Sequence, residues 1–319
     1  MSELLQYILI ILGIVFGLLT IAGLLIFMER RLLALWQDRY GPNRCGPEGI
    51  LQIAADMMKI FWKEDWIPPF ADKPVFVLAP LIILITVLGS FAVVPFAPGI
   101  VVSDLNVGIL FVLGMSSLAV YSVALAGWSS NNKYALMGTL RAVGQMIGYE
   151  VFMGLSLMGV VGLVGSFSLV DILDWQAKHT WFCLPQALGL FVFLIGGMAE
   201  MRRVPFDIPE AESELVAGYH TEYSGMKFAA FFLGEYIGMT LISSLVVVLF
   251  FGGGQGPWLP PIVWFLVKIF LLMSGFILIR GALPRPRYDQ VIAFGWKVML
   301  PLALLNLVVT GAFVVAGTE

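Results

Sequence analysis

The sequence has little charge and almost no cysteine or histidine. Lysine, arginine, aspartate and glutamate make up 12% of its 319 residues, and there are two cysteines and two histidines. Soluble domains carry about a quarter charged residues. Cys45 and Cys183 form no CxxC pair, and no HExxH motif, phosphate loop or Cys/His cluster is found. These absences argue against a soluble domain, a disulfide framework and a metal, redox or nucleotide site, and no basic surface is free for nucleic acid.

Long apolar runs fill the chain instead. Hydrophobic residues make up 60% of the sequence, and the mean hydropathy is +0.94. Runs of about 20 residues are membrane-spanning helices, because only helices and closed barrels satisfy the backbone in lipid, and the short alternating segments of a barrel are absent. The sequence therefore predicts an all-α, polytopic membrane domain of about eight spans, at 4–28, 75–97, 105–128, 138–165, 184–203, 228–251, 260–280 and 291–315.

Basic residues are concentrated in every second connection. All of the 18 Lys and Arg residues except Lys178 and Lys268 fall in or beside the loops 29–74, 129–137, 204–227 and 281–290. Cytoplasmic loops carry such an excess of positive charge. We therefore expect these four loops to be cytoplasmic and both termini to lie on the opposite side. The apolar run at 4–27 is too long for a cleavable signal and is expected to be the first span.

The first of these loops contains an amphipathic segment. Between positions 49 and 64, Gln52, Asp56, Lys59 and Lys63 recur at helical spacing, and the other face is apolar. A helix of this length is too short to span a bilayer and should lie along its surface. It is either a lipid-surface anchor or one wall of an opening through which an amphiphile passes between membrane and protein.

Acidic residues cluster where the chain is otherwise apolar. The segment 199–223 holds six of them and is interrupted by Pro205 and Pro209, which disfavour a continuous helix. It is either a solvated loop or a proton-conducting or cation-binding site at a membrane boundary. The six are Glu200, Asp207, Glu210, Glu212, Glu214 and Glu222.

Three further ionisable residues fall inside predicted spans: Glu150, Glu235 and Lys268. Each would cost roughly 2.5–3.5 kcal/mol near the bilayer centre. Such groups face a protein interior, where they form a proton pathway or are paired structurally with Lys or Arg. Glu200, at the end of the fifth predicted span, would connect Glu150 and Glu235 to the acidic segment.

Multi-residue blocks resemble a known family from end to end. They are Glu29-Arg-Arg with Arg39-Tyr-Gly-Pro-Asn-Arg44, Gly127-Trp-Ser-Ser-Asn-Asn-Lys-Tyr134, Pro205-Phe-Asp with Pro209-Glu-Ala-Glu-Ser-Glu-Leu-Val-Ala-Gly218, and Arg287-Tyr-Asp-Gln290 with Gly295-Trp-Lys297. In this order they resemble the family of H subunits of proton-pumping NADH:quinone oxidoreductase, respiratory complex I. Arg202 departs from the family's usual Asn and puts an extra cation beside Glu200.

The resemblance implies a membrane subunit of that enzyme, with no complete active site of its own. Quinone would be the substrate, and FMN and iron–sulfur clusters would lie in partner subunits, with none bound by this chain. Partners would be the hydrophilic-arm subunits that carry the terminal cluster and the quinone site, the adjacent small membrane subunits, and lipid. The resemblance favours a bacterial inner membrane, with periplasmic termini, over a mitochondrial one.

Site residues carry over by motif, with no metal ligand among them. The quinone tunnel would involve Glu29, Arg30, Asp56, Lys59 and Phe61. The proton pathway would be Glu150, Glu200, Asp207, Glu210, Glu212, Glu214, Glu222 and Glu235, with Arg141 and Arg203 as cationic partners. Two alternatives remain open: the equivalent subunit of a membrane-bound hydrogenase-type ion-pumping complex, and a proton-coupled secondary transporter.

Overall fold

The computed structural model describes residues 3–208 and 216–317. Within these ranges the chain is helical and forms no β-strand; one isolated bridge joins Ala97 and Ile100. In the described part of the chain, seven helices are long and apolar enough to cross a membrane, and one further apolar helix is shorter. The predicted all-α, polytopic fold class is confirmed.

The long helices are α1 (Glu3–Trp36), α3 (Lys73–Ser90), α4 (Gly108–Ser129), α5 (Lys133–Val164), α8 (Gly225–Phe250), α9 (Pro261–Ala282) and α11 (Leu300–Gly317). The shorter ones are α2 (Gln52–Trp62), α6 (Leu169–Lys178), α7 (Ala187–Glu200) and α10 (Tyr288–Phe294), which a π turn at Gly295–Met299 joins to α11.

Helix α8 lies at the centre of the bundle. In the most apolar stretch of α8, 83% of the residues are buried, against 17% in the corresponding stretch of α1. Helices α1, α3 and α9 all pack on α8. At Gly234, an added Cβ would lie 3.0 Å from Ile83 of α3, so the missing side chain permits this approach. A helix that is apolar all round belongs inside a bundle. A carboxylate on α8, such as Glu235, is therefore placed in the protein interior.

Two short helices differ from the sequence-based expectation. Helix α7 covers only the middle of the predicted span 184–203. It ends because the backbone at Arg202 turns into the left-handed region, at φ 54°, just ahead of Pro205. Helix α6 lies where the sequence predicted only a connection. The Ser168 side chain caps it by accepting hydrogen bonds from the backbone N–H groups of Val170 and Asp171, at 3.2 and 3.4 Å.

Candidate functional site

A cavity of about 520 Å³ opens where α1 and α9 end and α8 begins. This end of the bundle is called the basic end, because it carries most of the arginines. Five arginines and three acids line the cavity: Arg30, Arg39, Arg202, Arg203, Arg280, Glu29, Asp207 and Glu235. The cavity is thus cationic, although it lies beside lipid-embedded helices.

Glu29, near the end of α1, lies against one wall of this cavity. It is only 4% exposed. Arg203, from the turn after α7, approaches it to 3.4 Å, and Arg280, from the last turn of α9, makes a closer ion pair. A buried carboxylate needs such partners to offset its desolvation. Glu29 therefore ties together three segments that are far apart in the sequence.

Glu235 also lines the cavity and is held by two consecutive arginines. Arg202 and Arg203 approach its two carboxylate oxygens, each at 3.7 Å, and the Tyr219 hydroxyl donates a hydrogen bond at 3.2 Å. Arg203 also lies over the ring of Tyr236, at 4.2 Å from its centroid. Arg203 therefore bridges Glu29 on α1 and Glu235 on α8.

Asp207 completes the acidic lining, from the loop after α7. The Arg285 guanidinium donates a hydrogen bond to it at 2.8 Å. Burial raises the pKa of Asp207 from 3.8 to about 6, and Arg285 opposes this effect by lowering the pKa. Asp207 therefore titrates close to the physiological range.

A second cavity, of about 310 Å³, lies between α1, α2 and α8. It shares Ile26, Arg30 and Phe232 with the larger cavity, so the two adjoin. Arg30 and Asp56 form an ion pair at 2.6 Å in its wall, and Lys59 lies 3.8 Å from the same carboxylate. The rest of the wall is mainly apolar. Amphipathic helix α2 thus forms one side of this cavity.

A third, small cavity of about 50 Å³ runs between α3, α4, α7 and α8. Its lining includes Glu200, Glu235 and Ser116. Glu150, on α5, accepts a hydrogen bond from Ser116 at 3.0 Å and a second, shorter one from Ser117. The structure therefore brings Glu150, Glu200 and Glu235 into one connected region of the bundle.

The other predicted site residues lie outside this group. Phe61 is 61% exposed and does not line either larger cavity. Arg141 lies 5.9 Å from the centroid of the Tyr288 ring, and Glu222 accepts a hydrogen bond from Asn132 at 2.7 Å. The predicted acids Glu210, Glu212 and Glu214 lie outside the described residues.

Sequence reasoning did not single out Arg280, Tyr219 or Ser116 as partners of the acids. In the sequence, Arg280 is one of the basic residues beside a predicted cytoplasmic loop, and its neighbouring residues do not indicate that it pairs with Glu29. Serines such as Ser116 are common in packed membrane helices. Over the described ranges, no group of three His, Cys, Asp or Glu side chains could hold a metal ion.

Two comparisons with known proteins agree with one another. A family model described as NADH dehydrogenase matches residues 8–311. The chain is also 59% identical, over 304 residues, to the H subunit of NADH-quinone oxidoreductase from Methylococcus capsulatus. That alignment covers 95% of this chain and 96% of the relative. The chain therefore belongs to the NADH dehydrogenase family and, within it, to the H subunits of NADH-quinone oxidoreductase.

Proposed function

We propose that this chain, as a membrane subunit of a proton-translocating NADH:quinone oxidoreductase, forms both the route by which quinone enters and the acidic pathway that couples quinone reduction to proton pumping. Electrons would come from FMN and iron–sulfur clusters in partner subunits, docked on the basic end. The membrane would be a bacterial inner membrane, with both termini on its outer side, as the distribution of Lys and Arg favours.

The observation that carries this proposal is the pair of adjoining cavities. A quinone has an apolar tail and two carbonyl oxygens that accept hydrogen bonds. The cavity beside α2 offers apolar walls, including Ile53, Met57 and Ile60, and the larger cavity offers guanidinium donors. A quinone with its tail in the cavity beside α2 and its headgroup directed towards the larger cavity would match this change in polarity.

The coupling part rests on residues shared between cavities. Glu235 and Arg202 line both the large cavity and the small one that also contains Glu200. A change of charge on a headgroup in the large cavity would act on Glu235 over a short distance, and in low dielectric such interactions are strong. Glu235 is therefore the residue through which the electrostatic effect of quinone reduction would reach Glu200 and Glu150.

Narrowing the entry cavity tests the quinone route. Ile53→Trp adds bulk to the wall between α2 and α1, where Ile53 lies close to Gly23. The added ring should obstruct the cavity and raise the KM for a long-chain quinone about ten-fold, which corresponds to about 1.4 kcal/mol of lost binding free energy. Met58→Trp is the matched control, because Met58 lies on the same helix, is 58% exposed and lines neither cavity.

Native gels would report assembly of each variant, and NADH oxidation by ferricyanide would report the flavin reaction, which needs no quinone. We expect both to be unchanged in the two variants. Equal KM values for Ile53→Trp and Met58→Trp in assembled enzyme would remove the cavity beside α2 from the quinone route.

A further inference from the structure

Ser116 lies between two carboxylates that belong to different helices. Its hydroxyl oxygen is 3.0 Å from Oε1 of Glu150 on α5. Together with Glu200, at the end of α7, it lines two small cavities, of about 50 and 20 Å³. Ser116 is thus a polar side chain that is bonded to Glu150 and borders the same small cavities as Glu200.

The hydroxyl of Ser116 has alternative acceptors for its single proton. It can donate to the backbone carbonyl of Leu113 at 2.8 Å or to Glu150 at 3.0 Å. A hydroxyl carries one donor and two acceptor positions. When it donates to one partner, its lone pairs are available to a protonated carboxyl group on another side. Oε2 of Glu200 is buried and has no hydrogen-bond partner within the described part of the chain.

We propose that Ser116 is the proton-relay residue between Glu150 and Glu200, a step that rests on the acidic pathway of the proposed function. In this step the hydroxyl oxygen accepts the proton of one protonated carboxyl group while its own proton passes to the other carboxylate. One O–H bond forms on the serine as another breaks, so the serine ends neutral. Rotation of the hydroxyl past the Leu113 carbonyl then resets it.

The small cavity continues the pathway beyond Glu200. Its volume of about 50 Å³ is room for roughly one or two water molecules, and it reaches Glu235. Glu150 lines neither this cavity nor the one of about 20 Å³, whereas Ser116 lines both. The serine therefore occupies the step at which a side chain, and not water alone, would carry the proton.

Ser117 provides a matched comparison. It is the next residue on α4, and its hydroxyl also donates to Oε1 of Glu150 and can donate to the Leu113 carbonyl, at 3.1 Å. It differs in being exposed on the outer face of the helix and in lining none of the small cavities. A role that only orients Glu150 would be shared by the two serines, whereas a relay role belongs to Ser116.

The test compares Ser116→Ala, Ser116→Thr, Ser116→Cys and Ser117→Ala in intact complex reconstituted into vesicles, with quinone reduction and proton pumping measured in H₂O and D₂O. A positioned proton-transferring group contributes on the order of 10²-fold, and water would replace part of this. We expect Ser116→Ala to slow coupled turnover about ten-fold and to raise the solvent isotope effect. Ser116→Thr should restore the rate, and Ser116→Cys should be intermediate.

Ser117→Ala should have the smaller effect and leave the isotope effect as in the original protein. Equal rates and isotope effects in Ser116→Ala and Ser117→Ala would overturn the relay. If Ser116→Ala does not assemble, the coupled turnover rates of Ser116→Thr and Ser116→Cys decide instead. A Ser116→Cys variant that turns over as fast as Ser116→Thr would count against the relay. Glu150→Gln and Glu200→Gln separate the two proposals: full pumping in both would refute the acidic pathway itself, whereas loss in both with normal pumping in Ser116→Ala refutes only the serine step.

Discussion

Replacing Arg203 should destabilise the basic end more than replacing any surface arginine. Arg203 lies between Glu29 and Glu235, at 3.4 and 3.7 Å. Both carboxylates are nearly fully buried, at 4% and 6% exposed, and the Arg203 side chain is 11% exposed. Arg203→Met keeps most of the volume of the aliphatic stem and removes the positive charge. Two buried carboxylates, Glu29 and Glu235, then each lose one cationic partner.

The size of this loss of stability depends on the cationic partners that Glu29 and Glu235 keep. Removing one partner of a buried ion pair costs about 3–5 kcal/mol, because the other charge stays buried. Glu29 keeps Arg280 and Glu235 keeps Arg202, so we expect the lower end, about 3 kcal/mol. At tenfold for every 1.4 kcal/mol, this is roughly a hundred-fold in the equilibrium between intact and locally opened structure.

The assay is the half-life of quinone reductase activity in detergent at a fixed raised temperature, because a large membrane assembly unfolds irreversibly. Arg203→Met should shorten this half-life by about ten-fold or more, since only part of the loss appears in the unfolding rate. Arg285→Met is the control. Its partner is Asp207 and its side chain is 33% exposed, so its loss should cost about 1 kcal/mol or less.

A double variant makes the reasoning refutable. Glu235→Gln removes the charge that Arg203→Met leaves uncompensated, so the double variant should outlast the single Arg203→Met variant. Residues in one ion-pair network show coupling of about 0.5–3 kcal/mol. If Arg203→Met is as durable as Arg285→Met, or if the effects of Arg203→Met and Glu235→Gln simply add, the bridge does not hold the two helices together.

Two further predictions concern titration and topology. Because burial raises the pKa of Asp207 above its ordinary value, to about 6, its proton stabilises the folded loop at low pH, and this contribution is lost as the pH rises through 6. Thermal half-life should therefore fall between about pH 4 and pH 6. Asp207→Asn should abolish that fall, and Arg285→Met should extend it to higher pH; a fall unchanged in Asp207→Asn assigns it to another group. In right-side-out vesicles, a membrane-impermeant maleimide should label half-buried Cys183 and leave Cys45 unlabelled; the opposite pattern, checked with Cys45→Ser and Cys183→Ser, would reverse the proposed orientation.

The helices were largely predictable, because lipid permits few alternatives for long apolar runs. The exceptions are informative. The end of α7 depends on a left-handed turn at Arg202, a conformation that its residue type does not favour. Helix α6 is amphipathic and short, and it begins at a side-chain cap, Ser168, which a hydropathy profile does not detect. Hydropathy predicts burial in lipid, and these two features depend on packing and on single hydrogen bonds.

The partners of the acids were much less predictable. Glu29 and Arg280 are separated by 251 positions in the sequence, and only the packing of α1 beside α9 brings them together. The sequence predicted a functional role for Glu200 and Glu235, since carboxylates beside hydrocarbon need a compensating environment, and for Glu29 only through the family resemblance. Which environment each one has depends on helix contacts that composition and periodicity do not specify.

The three ionisable residues inside the predicted spans show this most clearly, because sequence alone left a proton pathway and a structural pairing open for all of them. Glu235 is paired with Arg202 and Arg203, whereas Glu150 accepts hydrogen bonds from two hydroxyls. Lys268 donates to three backbone carbonyls of the turn after α8, at 2.7–2.8 Å. An ammonium carries three donors, so these bonds use its full capacity. Lys268 therefore stabilises a turn at the end of α8 opposite to the acids, and the cost of its charge in the membrane is offset without any part in the pathway proposed for Glu150, Glu200 and Glu235.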